Sequence, residues 1–165
     1  MLTRHQYENA PLCLLFLDLD HFKALNDRFG HSGGDDVLTK FVAVVHDSIR
    51  PTDFLFRLGG EEFCCLLPHT STDQAQTVAE RIRQQVENAA ANVAGAAVKV
   101  TVSLGLASTE TFGYDLDALM RRADMAVYAA KRAGRNRVAV ATPGDLEAMG
   151  LEAMGNVLPL RLAEH

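Results

Sequence analysis

The chain has 165 residues, of which 16 are Lys or Arg and 21 are Asp or Glu, so its formal net charge is −5. Hydrophobic residues make up 48% and charged residues 22%, the proportions of one folded globular domain rather than a disordered chain. This acidic balance disfavours general nucleic-acid binding, and the longest apolar run, Leu12 to Leu17, is far shorter than the roughly 20 residues that span a bilayer. The 3 cysteines form no C-x-x-C motif and lie in apolar runs, which favours buried thiols in a reducing, cytoplasmic compartment.

The first half of the chain predicts a buried strand, two helices and a hairpin. The continuously apolar run 12–17 ends at Asp18, as a strand buried on both faces does. Apolar residues at steps of three and four predict a helix that ends at Gly30 and a longer one from about Asp35 to Pro51. Two apolar runs then flank Gly59-Gly60-Glu61-Glu62, and paired glycines between strand-like runs indicate a hairpin.

The second half predicts two helices and two strands. In chain order these are a helix from Asp73, a strand from Val98 to Ala107, a helix from Leu116 closed by Gly134, and a strand from Arg137 to Val140. The complete order, β-α-α-β-β-α-β-α-β, favours a central sheet with helices packed on it. From Pro143 the pattern stops, and two copies of Leu-Glu-Ala-Met-Gly follow, too few to be a repeat fold.

Four carboxylates are predicted to meet at one edge of this sheet. Asp18 and Asp20 stand where the first strand ends, and Glu61 and Glu62 stand at the hairpin tip. Clustered carboxylates repel one another unless a cation lies among them, and an all-oxygen set suits Mg²⁺ with bound phosphate. The alternative is that the aspartates only cap the next helix and the glutamates form a solvated turn. The two glycines favour a ligand site, because they let a ligand approach the backbone.

Several motifs together resemble the GGDEF family, the diguanylate cyclases. Gly59-Gly60-Glu61-Glu62-Phe63 is similar to the family signature in its GGEEF form. Further segments fall where that family has them: Leu17–Lys23, Asn26-Asp27, Phe29–His31, Gly34-Asp35, Val102–Gly105, Arg122–Ala126 and Lys131–Asn136. The resemblance implies an α/β (α+β) fold of the palm-like nucleotidyl-cyclase type, with a central, mainly antiparallel five-stranded sheet flanked by helices. It also implies that two GTP are condensed into cyclic di-GMP with release of two pyrophosphates.

The resemblance divides the chain into three parts. Residues 1–11 correspond to the remnant of an upstream helix, 12–141 to the catalytic domain, and 142–165 to an appendage without an assigned role. Because Met1–Ala10 is too short for the turn and long helix with which the family opens, we expect a missing N-terminal sensor or dimerisation module. Since each domain would hold one GTP, catalysis needs a homodimer, and the isolated chain is expected to turn over slowly. This piece is expected in the cytoplasm, although its parent is open to membrane anchoring.

The resemblance also implies the metal ligands and the catalytic groups. Asp18, the backbone carbonyl of Leu19 and Glu61 would hold Mg²⁺, with Mn²⁺ as the alternative ion, and Glu62 would support the same cluster. Glu61 is in addition the candidate general base, and the ammonium of Lys23 would stabilise charge on the triphosphate. The alternative for Lys23 is a surface lysine on a short helix.

Substrate contacts follow from the same motifs. Asn26 and Asp35 correspond to the guanine-reading residues, and a carboxylate can accept from both N1–H and the 2-amino group, which adenine does not offer. The other implied substrate contacts are His31, Gly59, Gly60, Lys131 and Arg135. Alternatives remain for three kinds of residue: Asp35 as a helix N-cap, His31 as a residue that orients the loop after Gly30, and the two cations as partners of a helix C-terminus.

A second site is implied for the reaction product. Arg50-Pro-Thr-Asp53 is an R-x-x-D motif at the family's spacing from the glycine pair, and Arg81 matches a further arginine of that inhibitory site. Arginine suits the role because its planar fork grips phosphate and stacks on guanine. The alternative is that Arg50 caps a helix end and Asp53 pairs with it. Two rival functions are a non-catalytic cyclic di-GMP receptor and a plain interaction module.

Overall fold

A five-stranded sheet forms the centre of the computed structural model, which describes residues 9–145. Its strands are β1 (Leu12–Leu19), β2 (Phe54–Gly59), β3 (Glu62–Pro68), β6 (Val102–Ser108) and β7 (Val138–Val140), in the spatial order β2-β3-β1-β6-β7. All neighbouring pairs are antiparallel except β6 and β7. A separate hairpin pairs β4 (Ala91–Val93) with β5 (Ala96–Val98). The predicted, mainly antiparallel five-stranded sheet is therefore confirmed.

Three long helices and one short helix accompany the strands within residues 9–145. They are α1 (Phe22–Ser48), α2 (Thr72–Asn88), α3 (Thr109–Phe112) and α4 (Leu116–Arg132). Ser71 caps α2 in a capping box with Gln74, and the Asp115 carboxylate accepts a hydrogen bond from the Ala118 amide at the start of α4. In α1 the left-handed φ of 74° at Gly30 breaks the helix into two arms.

The sheet buries a separate apolar layer on each face. Alternate residues of β1 point to opposite sides, so Leu15 and Leu17 pack with α1 and α2, while Leu14 and Phe16 pack with α4. On the α4 face, Gly105 of β6 lies directly beneath the helix. A Cβ added there would lie 2.0 Å from the backbone oxygen of Ala123, so α4 approaches the sheet closely only because this residue has no side chain.

Three details differ from the sequence prediction. The strand predicted from Val98 to Ala107 is split, because β5 ends at Val98 and β6 begins only at Val102. The β4–β5 hairpin and α3 were not predicted, since segments of three or four residues are too short for a periodic signal. The second arm of α1 begins directly after Gly30 rather than near Asp35, because two glycines at 33 and 34 pack inside the helix.

Residues 1–8 of the upstream-helix remnant and most of the appendage, with both copies of its short repeat, lie outside the described residues. Within residues 9–145, no helix has the length and hydropathy needed to cross a membrane.

Candidate functional site

Asp18 is the buried acidic group at the end of β1. Its exposed fraction is 6%, and it lies on the face of the sheet that α4 covers. The ammonium of Lys131, near the end of α4, is 2.7 Å from Oδ2 of Asp18. The other carboxylate oxygen, Oδ1, is buried and has no hydrogen-bond partner. Burial raises the pKa of Asp18, the neighbouring Lys131 opposes that shift, and the charges of Glu61 and Asp20 add to it.

The β2–β3 hairpin brings the predicted glutamates to this carboxylate. Glu62 is directly opposite Asp18 in the antiparallel register, so the two side chains leave the sheet on the same face. Glu61 lies in the turn, and its backbone oxygen accepts a hydrogen bond of 3.2 Å from the Leu19 amide. Both Nε and Nη2 of Arg57 donate to the carbonyl oxygen of Gly60, at 3.1 and 2.8 Å, which fixes the turn from its own strand.

The hydrogen-bond partners of Asp20 come from β6, the segment just before it and the turn after α4, not from the hairpin. Asp20 is 4% exposed, and its oxygens accept hydrogen bonds from Thr101 Oγ1, Ser103 Oγ and the backbone N–H of Asn136. Nor does Asp20 cap α1, because the N-cap position is His21, which makes no side-chain capping bond. These partners were not predictable from local sequence patterns, since they lie 81 to 116 residues away along the chain.

The oxygen groups near Asp18 suit a hard cation by their type, although they do not form a complete set of side-chain ligands. Among residues 9–145 no group of three or more His, Cys, Asp or Glu side chains is arranged to hold a metal ion. The buried Oδ1 of Asp18 nevertheless lacks a partner, and the backbone of the next residue, Leu19, is joined to Glu61 by the 3.2 Å hydrogen bond. Carboxylate and carbonyl oxygens are the donors that Mg²⁺ takes in proteins, usually with several waters and substrate phosphates. These donors fit such an ion.

The two residues predicted to read guanine lie on either side of the break in α1. Asn26 is half-buried on the first arm, and its Oδ1 is buried without a hydrogen-bond partner. This oxygen lies against Gly34, where an added Cβ would be 1.8 Å from it. Because Gly34 precedes Asp35, the packing brings Asn26 next to the backbone that carries Asp35. The broken helix thus places an amide and an exposed carboxylate side by side.

Asp35 lines a cavity of about 530 Å³ between the second arm of α1 and the β2–β3 hairpin. The other lining residues are Leu38, Thr39, Val42, His46, Leu55, Arg57 and Phe63. A larger cavity of about 910 Å³ lies beside the first arm of α1 and the β5–β6 connection, and it contains none of the residues predicted to bind nucleotide. The smaller cavity is the better candidate for a nucleotide-binding site, because Asp35 of the predicted base-reading pair lines it and it borders the hairpin.

The other predicted substrate residues surround the same end of the sheet. Lys23 is exposed on the first turn of α1, and His31 is exposed just after the break. Gly59 and Gly60 form the hairpin turn, where an added Cβ would meet no atom within 4 Å, so the backbone there is open to approach. Arg135 follows α4 in the left-handed region, with φ of 64° and an exposed side chain.

The residues predicted to bind product gather at the end of α1. The Asp53 carboxylate accepts a 2.8 Å hydrogen bond from the backbone N–H of Arg50, which agrees with the alternative that these residues pair locally. The second oxygen, Oδ1, is buried without a partner, and the Arg50 side chain is exposed. Arg81 reaches this end from α2, and its Nε and Nη2 donate to the Ser48 carbonyl at 3.1 and 2.6 Å.

Comparison with known proteins agrees with this arrangement. The family model described as diguanylate cyclase, GGDEF domain, matches residues 1–137. The probable diguanylate cyclase DgcT of Escherichia coli K12 is 42% identical over 135 residues, which make up 81% of this chain and 30% of that protein. The solved GGDEF domain of TpbB (YfiN) from Pseudomonas aeruginosa has a TM-score of 0.86 at 34% identity, covering 90% of this chain and 87% of that one.

A second solved structure carries a ligand. It is the GGDEF domain of DgcB from Caulobacter crescentus in complex with cyclic di-GMP, with a TM-score of 0.77 at 35% identity, covering 84% of this chain and 82% of that one. The chain therefore belongs to the GGDEF family of diguanylate cyclases. It spans between about a fifth and about a third of the length of the curated relatives it matches, at 30%, 21% and 35% of three of them.

Proposed function

We propose that this chain is the catalytic domain of a diguanylate cyclase, which joins two GTP into cyclic di-GMP and releases two pyrophosphates. The observation that carries the proposal is the state of Asp18. One carboxylate oxygen of Asp18 forms an ion pair with Lys131, and the other is buried without a partner. The residue lies directly beside the Gly59-Gly60-Glu61-Glu62 turn. A family member that had lost catalysis would have no need to keep a buried carboxylate at this position.

Asp18, the carbonyl of Leu19 and Glu61, supported by Glu62, would hold Mg²⁺ or Mn²⁺ here. When bound, the ion would neutralise charge that develops on the α-phosphate and favour ionisation of the attacking hydroxyl. Glu61 would accept the proton of the 3′-hydroxyl, whose oxygen forms a bond to the α-phosphorus of the second GTP while the bond to the β-phosphate breaks. Pyrophosphate leaves, and a second, equivalent step closes the ring.

The cations near the site would act on the triphosphate. Lys23 is exposed at the start of α1, and Lys131 and Arg135 lie at and just after the end of α4. Positive groups aimed at phosphate oxygens lower the barrier most where the charge grows in the transition state. Gly59 and Gly60 leave the turn open for the phosphate chain, and His31 is exposed on α1 just after the break at Gly30.

The base would be selected at the break in α1. Asp35 can accept from N1–H and the 2-amino group of guanine, and Asn26 is next to it. Adenine has no such pair of donors, so ATP would leave the carboxylate without partners and bind more weakly. Because each chain would hold one GTP, the reaction needs two chains face to face, and a homodimer is part of the proposal.

Product would bind at the end of α1 and inhibit the enzyme. Arg50 and Arg81 present two guanidinium groups there, and Asp53 has a buried oxygen without a partner. The related domain of DgcB was solved in complex with cyclic di-GMP, which supports binding of that dinucleotide by this chain. Arg50→Ala is the cleaner test, because Arg81 also holds the last turn of α1. We expect it to weaken cyclic di-GMP binding in calorimetry and to leave GTP binding nearly unchanged. Equal product affinity in both proteins would refute the site.

The cyclase activity is best tested in a forced dimer. The chain, stripped of nucleotide, is fused to a parallel coiled coil through helical linkers of four successive lengths, each rotating the domains by about 100° relative to the last. Product from GTP and Mg²⁺ is followed by chromatography, with Glu61→Gln as the inactive control and ATP as the alternative substrate. We expect cyclic di-GMP from at least one fusion and none from the control. GTP binding without product from any fusion would instead favour the non-catalytic receptor.

A further inference from the structure

The two aspartates at the end of β1 have different surroundings. Asp18 has an oxygen without a partner, whereas both oxygens of Asp20 are used. Ser103 Oγ donates to Oδ1 at 2.7 Å, and Thr101 Oγ1 and the Asn136 backbone N–H donate to Oδ2 at 2.7 and 3.1 Å. These three donors engage both oxygens of the Asp20 carboxylate, which points to a structural purpose for it.

That purpose lies in the turn after α4. Arg135 and Asn136 both have left-handed backbones, with φ of 64° and 47°. Such a conformation is strained for arginine and is kept only where the surroundings hold it. Asp20 holds it from β1 through the Asn136 N–H.

α2 holds the same turn from the other side. The Asn136 side chain accepts a 3.0 Å hydrogen bond from Nη1 of Arg83 and donates one of 3.0 Å to Glu87. Arg83 is itself paired with Glu80 and Glu87 at 2.7 Å, and its side chain is only 15% exposed. The turn is therefore tied to both β1 and α2.

The segment held in this way carries the cations of the site. The Gly134 amide donates to the Lys131 carbonyl, and the Arg135 amide donates to the Ala130 carbonyl at 3.0 Å, so the turn continues directly from α4. The Lys131 ammonium meets Asp18 at 2.7 Å. Two aspartates, one near the end of β1 at position 18 and one just after the strand at position 20, thus fix both ends of one cation-bearing segment.

We propose that Asp20 and Asn136 are positioning residues: through the Asp20–Asn136 hydrogen bond and the bonds of Asn136 to α2, they hold Lys131 and Arg135 at the triphosphate. This inference rests on the proposed function, because it assumes that those cations meet GTP. It assigns the second carboxylate of the strand to the shape of the phosphate site rather than to the metal.

The test compares Asp20→Ala, which removes the acceptor of the Asn136 N–H, with Thr101→Val. Thr101→Val removes one hydrogen bond to the same carboxylate but leaves the Asn136 N–H its acceptor. Asn136→Gly is the second variant, since glycine keeps the left-handed backbone and loses only the side-chain bonds to α2. Two measurements are made on the full chain: the affinities for GTP and for GMP in Mg²⁺, and amide hydrogen exchange of residues 134–137 without ligand.

In Asp20→Ala and Asn136→Gly we expect the amide hydrogens of residues 134–137 to exchange at least tenfold faster and GTP to bind about tenfold more weakly. GMP binding should be affected less, and Thr101→Val should stay close to wild type. Faster exchange with unchanged GTP affinity would overturn the positioning role, as would unchanged exchange in both variants. If the wild-type chain itself bound no GTP, the proposed function would fail, and this inference with it. That result differs from a wild type that binds GTP and variants that bind equally well.

Discussion

Gly105 is where a single added methyl group should do the most damage to the fold. In the structure an added Cβ would lie 2.0 Å from the Ala123 oxygen and 2.7 Å from the Val127 nitrogen. Ordinary contacts of this kind begin at about 3.4 Å, so α4 would have to move away from β6 by about 1.4 Å. Both obstacles are backbone atoms of one helix, so no side-chain rotation relieves the contact.

The cost of this movement can be estimated from the layer that α4 covers. Overpacking a core costs about 1–3 kcal/mol, and a rigid helix backbone places Gly105→Ala at the upper end, about 3 kcal/mol or more. Alanine is favoured over glycine within a strand by only about 0.5–1 kcal/mol, which offsets a small part of this cost. The net loss of about 2–2.5 kcal/mol is large against a native stability of about 5–15 kcal/mol, and it corresponds to a fall in Tm of roughly 4–10 °C.

Urea denaturation and thermal melts followed by circular dichroism would measure the loss. Gly59→Ala and Gly144→Ala are matched controls, because an added Cβ at either position meets no atom within 4 Å. We expect both controls to stay within about 0.5 kcal/mol of wild type. If Gly105→Ala were as stable as these controls, the close approach of α4 to β6 and the argument built on it would be refuted.

Three further predictions concern the site and the core. Burial raises the pKa of Asp18 in the folded chain, so the charged carboxylate costs stability above that pKa. Asp18→Asn should therefore raise Tm at pH 7, by an amount that shrinks toward pH 4. A lower Tm at pH 7 would contradict this. Burial raises the thiol pKa to about 11 at Cys13 and about 12 at Cys64, so with Cys65 these thiols should react with Ellman's reagent only after denaturation; native reaction would argue against burial. Gly34→Ala should displace the Asn26 amide and weaken GTP binding about tenfold by calorimetry, the worth of one hydrogen bond, and unchanged affinity would exclude Asn26 from base reading.

The elements were predictable where a hydrophobic period runs long enough to be read. The apolar run of β1 and the stripe of α4 predicted both elements, and the paired glycines predicted the hairpin between β2 and β3. The split between β5 and β6 was not predictable, because the alternating apolar pattern continues through residues 99–101. There the chain crosses from the small hairpin to the main sheet, and only tertiary pairing ends one strand and begins the next.

The site was predictable as a set of residues but not as a set of partners. Local spacing makes Asp18 and Asp20 look equivalent, and it predicted a metal role for the pair. Their difference depends on partners that are distant in sequence. Asp18 meets Lys131 of α4, whereas Asp20 accepts hydrogen bonds from Thr101 and Asn136, which are 81 and 116 residues away. A motif fixes which residue types stand at a strand end, whereas the hydrogen bonds that decide their tasks come from distant parts of the chain.

The position of α4 connects the stability of this domain to its chemistry. The sheet holds the helix and the turn after it at three places: Gly105 lies against its middle, Asp18 meets Lys131 near its end, and Asp20 binds the Asn136 amide just beyond. A displacement at the first contact would be passed along a rigid helix to the second and third. We therefore expect a substitution at Gly105 to weaken GTP binding as well as folding, although Gly105 lies within the sheet and touches no nucleotide in the proposed mechanism.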